Sequence, residues 1–312
     1  MADIALRLGK DVLVTQGPMG TQLMAQGFDY DTPLPLLNVT EPEAIEELHR
    51  LYRAAGADCA ITNTFMATSA NLARFGLSGA VADINEAGVR IARAQGFPHV
   101  LASVGPCRVE VEAGSGLAAL RGARAESQDG ACVAGNPPVG YSSAVELYAE
   151  QMAALASGDP DALLLETFTS LDDLLSAVEA ARRTCDAPVI ASMAFLDSTA
   201  GTAQASPEEA ARALAQAGVA AVGCNCMDVD ACVDTIERMR AACDLPLIAR
   251  PSAGKPVASP DGSPRWPLGP RDFADASVRL LKAGARIIGC CCGGTPAATG
   301  AIYATVGGLQ MP

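Results

Sequence analysis

Eight short runs rich in Val, Ile and Leu, each four to seven residues long, limit most sharply what this chain can fold into. They lack the polar alternation of a half-solvated strand and therefore read as strands covered on both faces. They span Val12 to Thr15, Asp58 to Asn63, Val100 to Val104, Ala162 to Glu166, Val189 to Met193, Ala220 to Cys226, Leu247 to Arg250 and Arg286 to Cys291. Stretches of helical period such as EPEAIEELHRLYRAAGA and PRDFADASVRLLKAG lie between them. A strand-then-helix order repeated about eight times is the pattern of an α/β chain closed into a (β/α)8 TIM barrel. An open doubly wound sheet is the competing arrangement, and it more often carries a Gly-rich dinucleotide fingerprint after its first strand.

The element boundaries carry their own chemistry. Thr40, Ser170 and Ser206 stand where N-caps belong, with Glu43, Asp173 and Glu209 three positions on to close capping boxes. Pro42 and Pro207 fall at the first helical turn, and Gly56, Gly96, Gly218 and Gly284 follow the last turns of their helices. Two segments break the rhythm: residues 105–142, rich in Gly, Ala and Ser, and residues 251–270, with six prolines and the only tryptophan. Both follow strands, so they are expected as long loops on the face where barrels build their active sites. The reading is one domain over residues 1–312.

Composition closes off several functions. The chain is half hydrophobic, 18% charged and carries a formal net charge of -13. That is enough apolar material for a sizeable core, and the wrong sign for a nucleic-acid partner. No segment approaches the ~18 consecutive apolar residues of a membrane span, and the N-terminus does not read as a secretory signal. A cytoplasmic location is the expectation. The 11 cysteines include three in a row, Cys290 to Cys292, which are poorly placed to bridge one another. In a reducing compartment they are core thiols, metal ligands or nucleophiles.

In a barrel the residues at the C-terminal strand ends are the candidates for chemistry. Here these are Gln16 and Gly17, Asn63, Glu166, Asn225 and Cys226, and Cys291 and Cys292. Cys226 and the Cys291–Cys292 pair close strands separated by one other strand, so three sulfurs can meet above the barrel axis. Three sulfurs with a fourth position open suit catalytic Zn2+, and a substrate thiol in that position becomes a nucleophile near neutral pH. The same residues also suit plain packing, since free cysteine is among the most buried residue types. Cys59, Cys107, Cys132, Cys185, Cys232 and Cys243 are read as packing thiols. Glu166 facing a mouth can pair with a substrate ammonium, or it can simply precede the helix SLDDLL as an N-terminal charge. Asn63 and Asn225 can orient ligands or serve as strand-end turn residues.

In order along the chain, QGPMGTQL, ITNTF, LLLETF, GCNC and GCCCGGTP resemble the zinc-dependent homocysteine S-methyltransferase family. The resemblance implies a TIM barrel with zinc at the ends of the sixth and eighth strands, held by Cys226, Cys291 and Cys292. Cys290 then occupies a position that is usually glycine and is read as a residue packing behind the ligands, with ligation by Cys290 in place of Cys291 as the alternative. The resemblance further implies a methyltransferase of methionine biosynthesis, with homocysteine as the acceptor. Its carboxylate would lie on the backbone of Gly17, Met19 and Gly20, its ammonium on Glu166, with Gln16 and Asn63 beside it.

Gln16 departs from the family pattern, which has Asp there, and an amide removes the charge that strengthens an ammonium contact. A thiol other than homocysteine therefore remains open as acceptor. No cobalamin or folate module follows the barrel, so the donor is expected to be a small molecule or a separate methyl-corrinoid protein. An onium donor would use aromatic faces, for which Trp266, Tyr141, Phe65 and Phe168 are the candidates. Thr167 stands where the betaine enzyme carries Tyr, which disfavours betaine. A metal-binding barrel without transfer activity is the reading from another class. A zinc hydrolase is disfavoured, because the chain has only two histidines, His49 and His99, in separate elements.

Overall fold

The computed structural model describes residues 4–28, 31–107, 143–195, 205–259, 264–307 and 309. Eight parallel strands form one sheet: β1 (Leu13–Val14), β2 (Cys59–Ile61), β3 (His99–Val104), β4 (Ala162–Phe168), β5 (Val189–Met193), β6 (Ala221–Asn225), β7 (Leu247–Arg250) and β8 (Ala285–Ile288). Each pairs with the next in the chain, and β8 pairs back onto β1 with Leu13 opposite Ile287. Between β1 and β2 the sheet closes through a parallel bridge from Thr15 to Cys59. There Gln16 N–H donates to the Cys59 carbonyl at 2.8 Å and Asp58 N–H to that of Val14 at 2.8 Å. The result is the (β/α)8 barrel.

A long helix follows each strand: α1 (Pro42–Ala54), α2 (Val81–Ala94), α3 (Ala144–Ala156), α4 (Leu171–Thr184), α5 (Pro207–Gln216), α6 (Val229–Ala242), α7 (Pro270–Ala283) and α8 (Pro296–Val306). Ser206 forms the expected capping box with Glu209, and Ser170 caps α4 through the Asp173 N–H. Thr40 does not cap α1. It ends a four-residue helix, Leu37–Thr40, where its hydroxyl bonds back to the Leu36 carbonyl, and Glu41 takes the cap position. Gly56, Gly96, Gly218 and Gly284 all have positive φ, as left-handed helix stops require.

Strand alternation sorts the core into two layers. Leu13, Ile61, Leu101, Leu164, Ile190, Ile248 and Ile287 point into the barrel, where Ile4 and Leu8 of the N-terminal segment join them. Their neighbours Val14, Ala102, Leu165, Ala191, Val222, Ala249 and Ile288 face the helices. Covering each Leu or Ile contributes roughly 1.5–3 kcal/mol, which is why both faces of every strand are apolar. No helix among the described residues is long and apolar enough to cross a membrane.

Two expectations need adjustment. The last strand stops at Ile288, not Cys291: Cys291 N–H turns to the Pro251 carbonyl at 2.8 Å, and Gly294 N–H bonds back to the Cys291 carbonyl at 2.9 Å. The three cysteines therefore sit in a turn beyond β8. The segment 251–270 is not wholly irregular, since Val257–Ala258 pairs antiparallel with Pro264–Arg265. Residues 108–142 of the first expected loop and 260–263 of the second lie outside the described residues, as do Cys132 and Tyr141.

Candidate metal centre and active site

Counting two residues on from the inward apolar layer reaches a polar layer at the C-terminal end of the barrel. It contains Thr15, Asn63, Ser103, Glu166, Ser192 and Arg250, all buried. Thr167, where the register of β4 shifts, and Cys226, just after β6, are non-glycine residues at φ 65° and 63°. Such left-handed positions cost about 1–3 kcal/mol each and persist only where neighbours hold them. Asn225 supplies that hold. Its Oδ1 accepts from Thr167 N–H at 3.0 Å and from Ser192 Oγ at 2.7 Å. Its Nδ2 donates to Thr167 Oγ1 at 2.7 Å and reaches Cys291 Sγ at 3.8 Å.

The loops after β6, β7 and β8 are stapled together by backbone bonds. Cys226 N–H donates to the Arg250 carbonyl at 3.2 Å, Ser252 N–H to that of Met227 at 2.8 Å, and Ala253 N–H to that of Cys292 at 2.8 Å. These bonds bring the sulfurs of Cys226, Cys291 and Cys292 within 4.8 Å of one another, the one such grouping among the described residues. Cys226 Sγ and Cys292 Sγ are 3.7 Å apart. Two thiolates on one tetrahedral zinc, each about 2.3 Å from it, would be about 3.8 Å apart, so the donor set fits that ion. Trp266 and Met24 pack against Cys291 and Cys292, with Cys226 half-buried beside them.

The charge pattern also suits a cation. As bare thiols the three cannot all ionise. Ionisation of Cys291 is favoured by donation from Cys226 and Cys292, and further by the Arg250 guanidinium and Asn225. Cys226 and Cys292 are pushed up, chiefly by the hydrogen bonds they donate within the cluster. Cys290 stands apart. It is fully buried with Sγ 3.8 Å from Thr299 Oγ1, and burial pushes its thiol up to about 11.

Gln16 is buried with its amide committed inside the protein. Nε2 donates to the Ile61 carbonyl at 3.0 Å and to Met19 Sδ at 3.0 Å, and Oε1 is 2.9 Å from His49 Nδ1. Because an amide oxygen only accepts, His49 carries its proton on Nδ1. Its buried Nε2 has no partner among the described residues. Gly17 must lack a side chain, since a Cβ there would lie 2.8 Å from Tyr52 Oη and 2.9 Å from Cys290 Sγ. Met19 is buried, and Gly20 opens the short helix Gly20–Ala25. Asn63 donates from Nδ2 to the Leu34 carbonyl at 2.9 Å and to Asn38 Oδ1 at 3.1 Å, tying residues 34–38 to the barrel.

Glu166 lies inside the mouth between two partners: Oε1 accepts from Ser103 Oγ at 2.6 Å, and Oε2 from Arg250 at 2.5 Å. Because β4 and β7 are not neighbours, this ion pair spans the barrel interior. Sequence reading by strand ends missed Arg250, Ser103 and Ser192. The signal was available, because each lies two residues beyond an inward-facing Ile or Leu, and a lone Arg closing LIAR has no other reason to be there. Of the expected aromatic faces, Phe168 is buried against Tyr148, with ring centroids 5.8 Å apart, and Phe65 stands against Gly105. Trp266 alone of the described candidates packs on the cysteine cluster.

Comparison with known proteins adds an independent line. The sequence matches the family model for homocysteine S-methyltransferase over residues 13–306. It is 30% identical to a methionine synthase of Mycobacterium tuberculosis over 328 aligned positions, which cover 98% of this chain and 25% of that protein. The chain thus spans about a quarter of the length of the methionine synthases it matches. It is 26% identical to homocysteine S-methyltransferase YbgG of Bacillus subtilis over 90% of both chains. In three dimensions it resembles the metallated form of the Escherichia coli homocysteine methyltransferase MmuM, with TM-score 0.69 and 25% identity over 95% of this chain and 96% of that one.

Proposed function

The chain belongs to the homocysteine S-methyltransferase family, and from that premise we propose that it is a zinc-dependent S-methyltransferase acting on a thiol. The observation that carries this reading is the convergence of three sulfurs from two separate loops within 4.8 Å. Cys226, Cys291 and Cys292 would hold Zn2+, which supplies a Lewis acid that keeps an acceptor thiol deprotonated near neutral pH. The same reading makes residues 1–312 one functional unit.

The protein's own groups do the rest by positioning. Asn225 fixes Cys291 and the strained Thr167 position, and Trp266 packs on the sulfurs. In the transfer the acceptor loses its S–H proton, an S–CH3 bond forms, and the donor's bond to that methyl breaks with the electron pair leaving on the donor. A small onium donor would place its cation on Trp266, the aromatic face packed on the cluster. A methyl-corrinoid protein is the other donor class. For homocysteine, Glu166 is the carboxylate within the mouth for the ammonium, and the Gly17–Met19–Gly20 turn would take the carboxylate. Gln16 and Asn63 would support that turn and wall from behind.

A matrix of zinc-loaded protein against several thiols and donors, read by mass spectrometry of the methylated thiol, tests the proposal. Formation of at least one S-methyl product, lost in Cys226→Ser, is expected. Zinc bound without methylation of any thiol would instead establish a metal-binding barrel without transfer activity.

A further inference from the structure

Glu166 is the only carboxylate in the buried polar layer among the described residues, and it is already neutralised. Its two oxygens are taken by Ser103 Oγ at 2.6 Å and by Arg250 at 2.5 Å, with the Arg and Glu side chains 3% and 8% exposed. Gln16, the amide at the family's Asp position, has its oxygen against His49 Nδ1 and its nitrogen on Ile61 and Met19. An ammonium arriving here would have to share the Glu166 carboxylate with the guanidinium that already neutralises it. Arg250, by contrast, has donor capacity to spare: its Nε is buried with no partner among the described residues. A buried N–H without an acceptor is unfavourable, and an arriving carboxylate would satisfy it with a charge-assisted bond.

Resting on the methyltransferase reading above, we infer that the acceptor is a mercaptocarboxylate, a thiol that bears a carboxylate and no α-ammonium, and that Arg250 is the residue that sets this specificity. A thiol amino acid brings the same carboxylate but adds an ammonium, which must share Glu166 with Arg250 and lie beside a like charge in a buried site. A mercaptocarboxylate leaves the pair intact and adds an acceptor to it. The backbone of Arg250 is also tied to the metal loops, its carbonyl accepting from Cys226 N–H, while Glu166 holds its guanidinium.

Three thiols differing by one group each separate the terms: homocysteine, 4-mercaptobutanoate, which lacks the amine, and 3-aminopropane-1-thiol, which lacks the carboxylate. Calorimetric titration of zinc-loaded wild-type protein, with no donor present, should give at least about ten-fold tighter binding of 4-mercaptobutanoate than of homocysteine, with the aminothiol weakest. In Arg250→Met the preference should move toward homocysteine, and further in Gln16→Asp/Arg250→Met. Should either variant fail to fold, the wild-type order alone decides. Homocysteine bound as tightly as 4-mercaptobutanoate by wild type, or more so, overturns this inference and leaves the methyltransferase reading standing. Zinc-loaded protein that binds none of the three thiols overturns both.

Discussion

Replacing Arg250 with Leu removes one half of an ion pair that is almost wholly out of water. Two unit charges about 4 Å apart attract by about 4 kcal/mol at an effective dielectric of 20. Desolvation of both groups offsets most of that, so the intact pair adds little net stability. The single variant is a different matter. Glu166 keeps its bond from Ser103 but loses its counter-charge, and a buried charge left alone costs about 3–5 kcal/mol. At about 2–4 °C per kcal/mol for a chain approaching this size, the melting temperature should fall by about 10 °C. Glu166→Gln strands the guanidinium and should cost a similar amount, whereas Arg250→Leu/Glu166→Gln removes both charges and should recover at least about 2 kcal/mol of the summed losses. The assay is urea denaturation of chelator-treated protein, followed by far-ultraviolet circular dichroism and by the fluorescence of Trp266. Coincident transitions would license the comparison of midpoints. A loss under about 1 kcal/mol in Arg250→Leu, or simple additivity in the double variant, would refute the reasoning.

Three further outcomes are expected. Dialysed Cys226→Ser, Cys291→Ser and Cys292→Ser proteins should each retain far less than one zinc per chain by metal analysis, while Cys290→Ala, altered outside the cluster, should retain it fully. Burial holds the His49 imidazole down at about 3, whereas the unfolded chain binds that proton near 6.5. Stability is therefore full above pH 6.5 and lost as the pH falls toward 3, by about 1.4 kcal/mol per unit. Metal-free wild type should lose about 2 kcal/mol more than His49→Gln between pH 6.5 and 5 in urea titrations, and parallel losses would remove His49 from the account. Gly223→Ala would set a Cβ 1.8 Å from the Ile248 carbonyl oxygen, a backbone atom that cannot swing aside. That variant should lose at least about 3 kcal/mol or accumulate as insoluble protein; near-native stability on expression and melting would show that β6 and β7 can part.

The barrel was legible because its strands are buried on both faces. LLLETF and VIASM cannot be amphipathic, and the caps at Ser170 and Ser206 mark where helices begin. The cysteines were legible as a set, since GCNC and GCCCG end strands on the same side of the barrel. Their exact placement was not, because the turn that carries Cys291 and Cys292 is fixed by backbone bonds to Pro251 and Ala253 from another loop. Arg250 was harder still to read. A run of apolar residues ending in Arg looks like a strand reaching water, and only the closure of the barrel turns that position inward, onto Glu166 from β4. Gln16 shows the same limit: sequence placed it at the mouth, but not its partner His49, which arrives from α1. Pairings between distant strands and helices are tertiary facts that local pattern does not encode.

On the methyltransferase reading, Cys226, Cys291 and Cys292 hold a metal whose remaining position receives the acceptor thiol. X-ray absorption at the zinc edge of the purified protein, before and after addition of an acceptor thiol, tests it most directly. The account predicts three sulfurs at about 2.3 Å with one lighter ligand, changing to four sulfurs when the thiol binds. A first shell of nitrogen and oxygen, or a sulfur count that stays at three with the thiol bound to the protein, would contradict it.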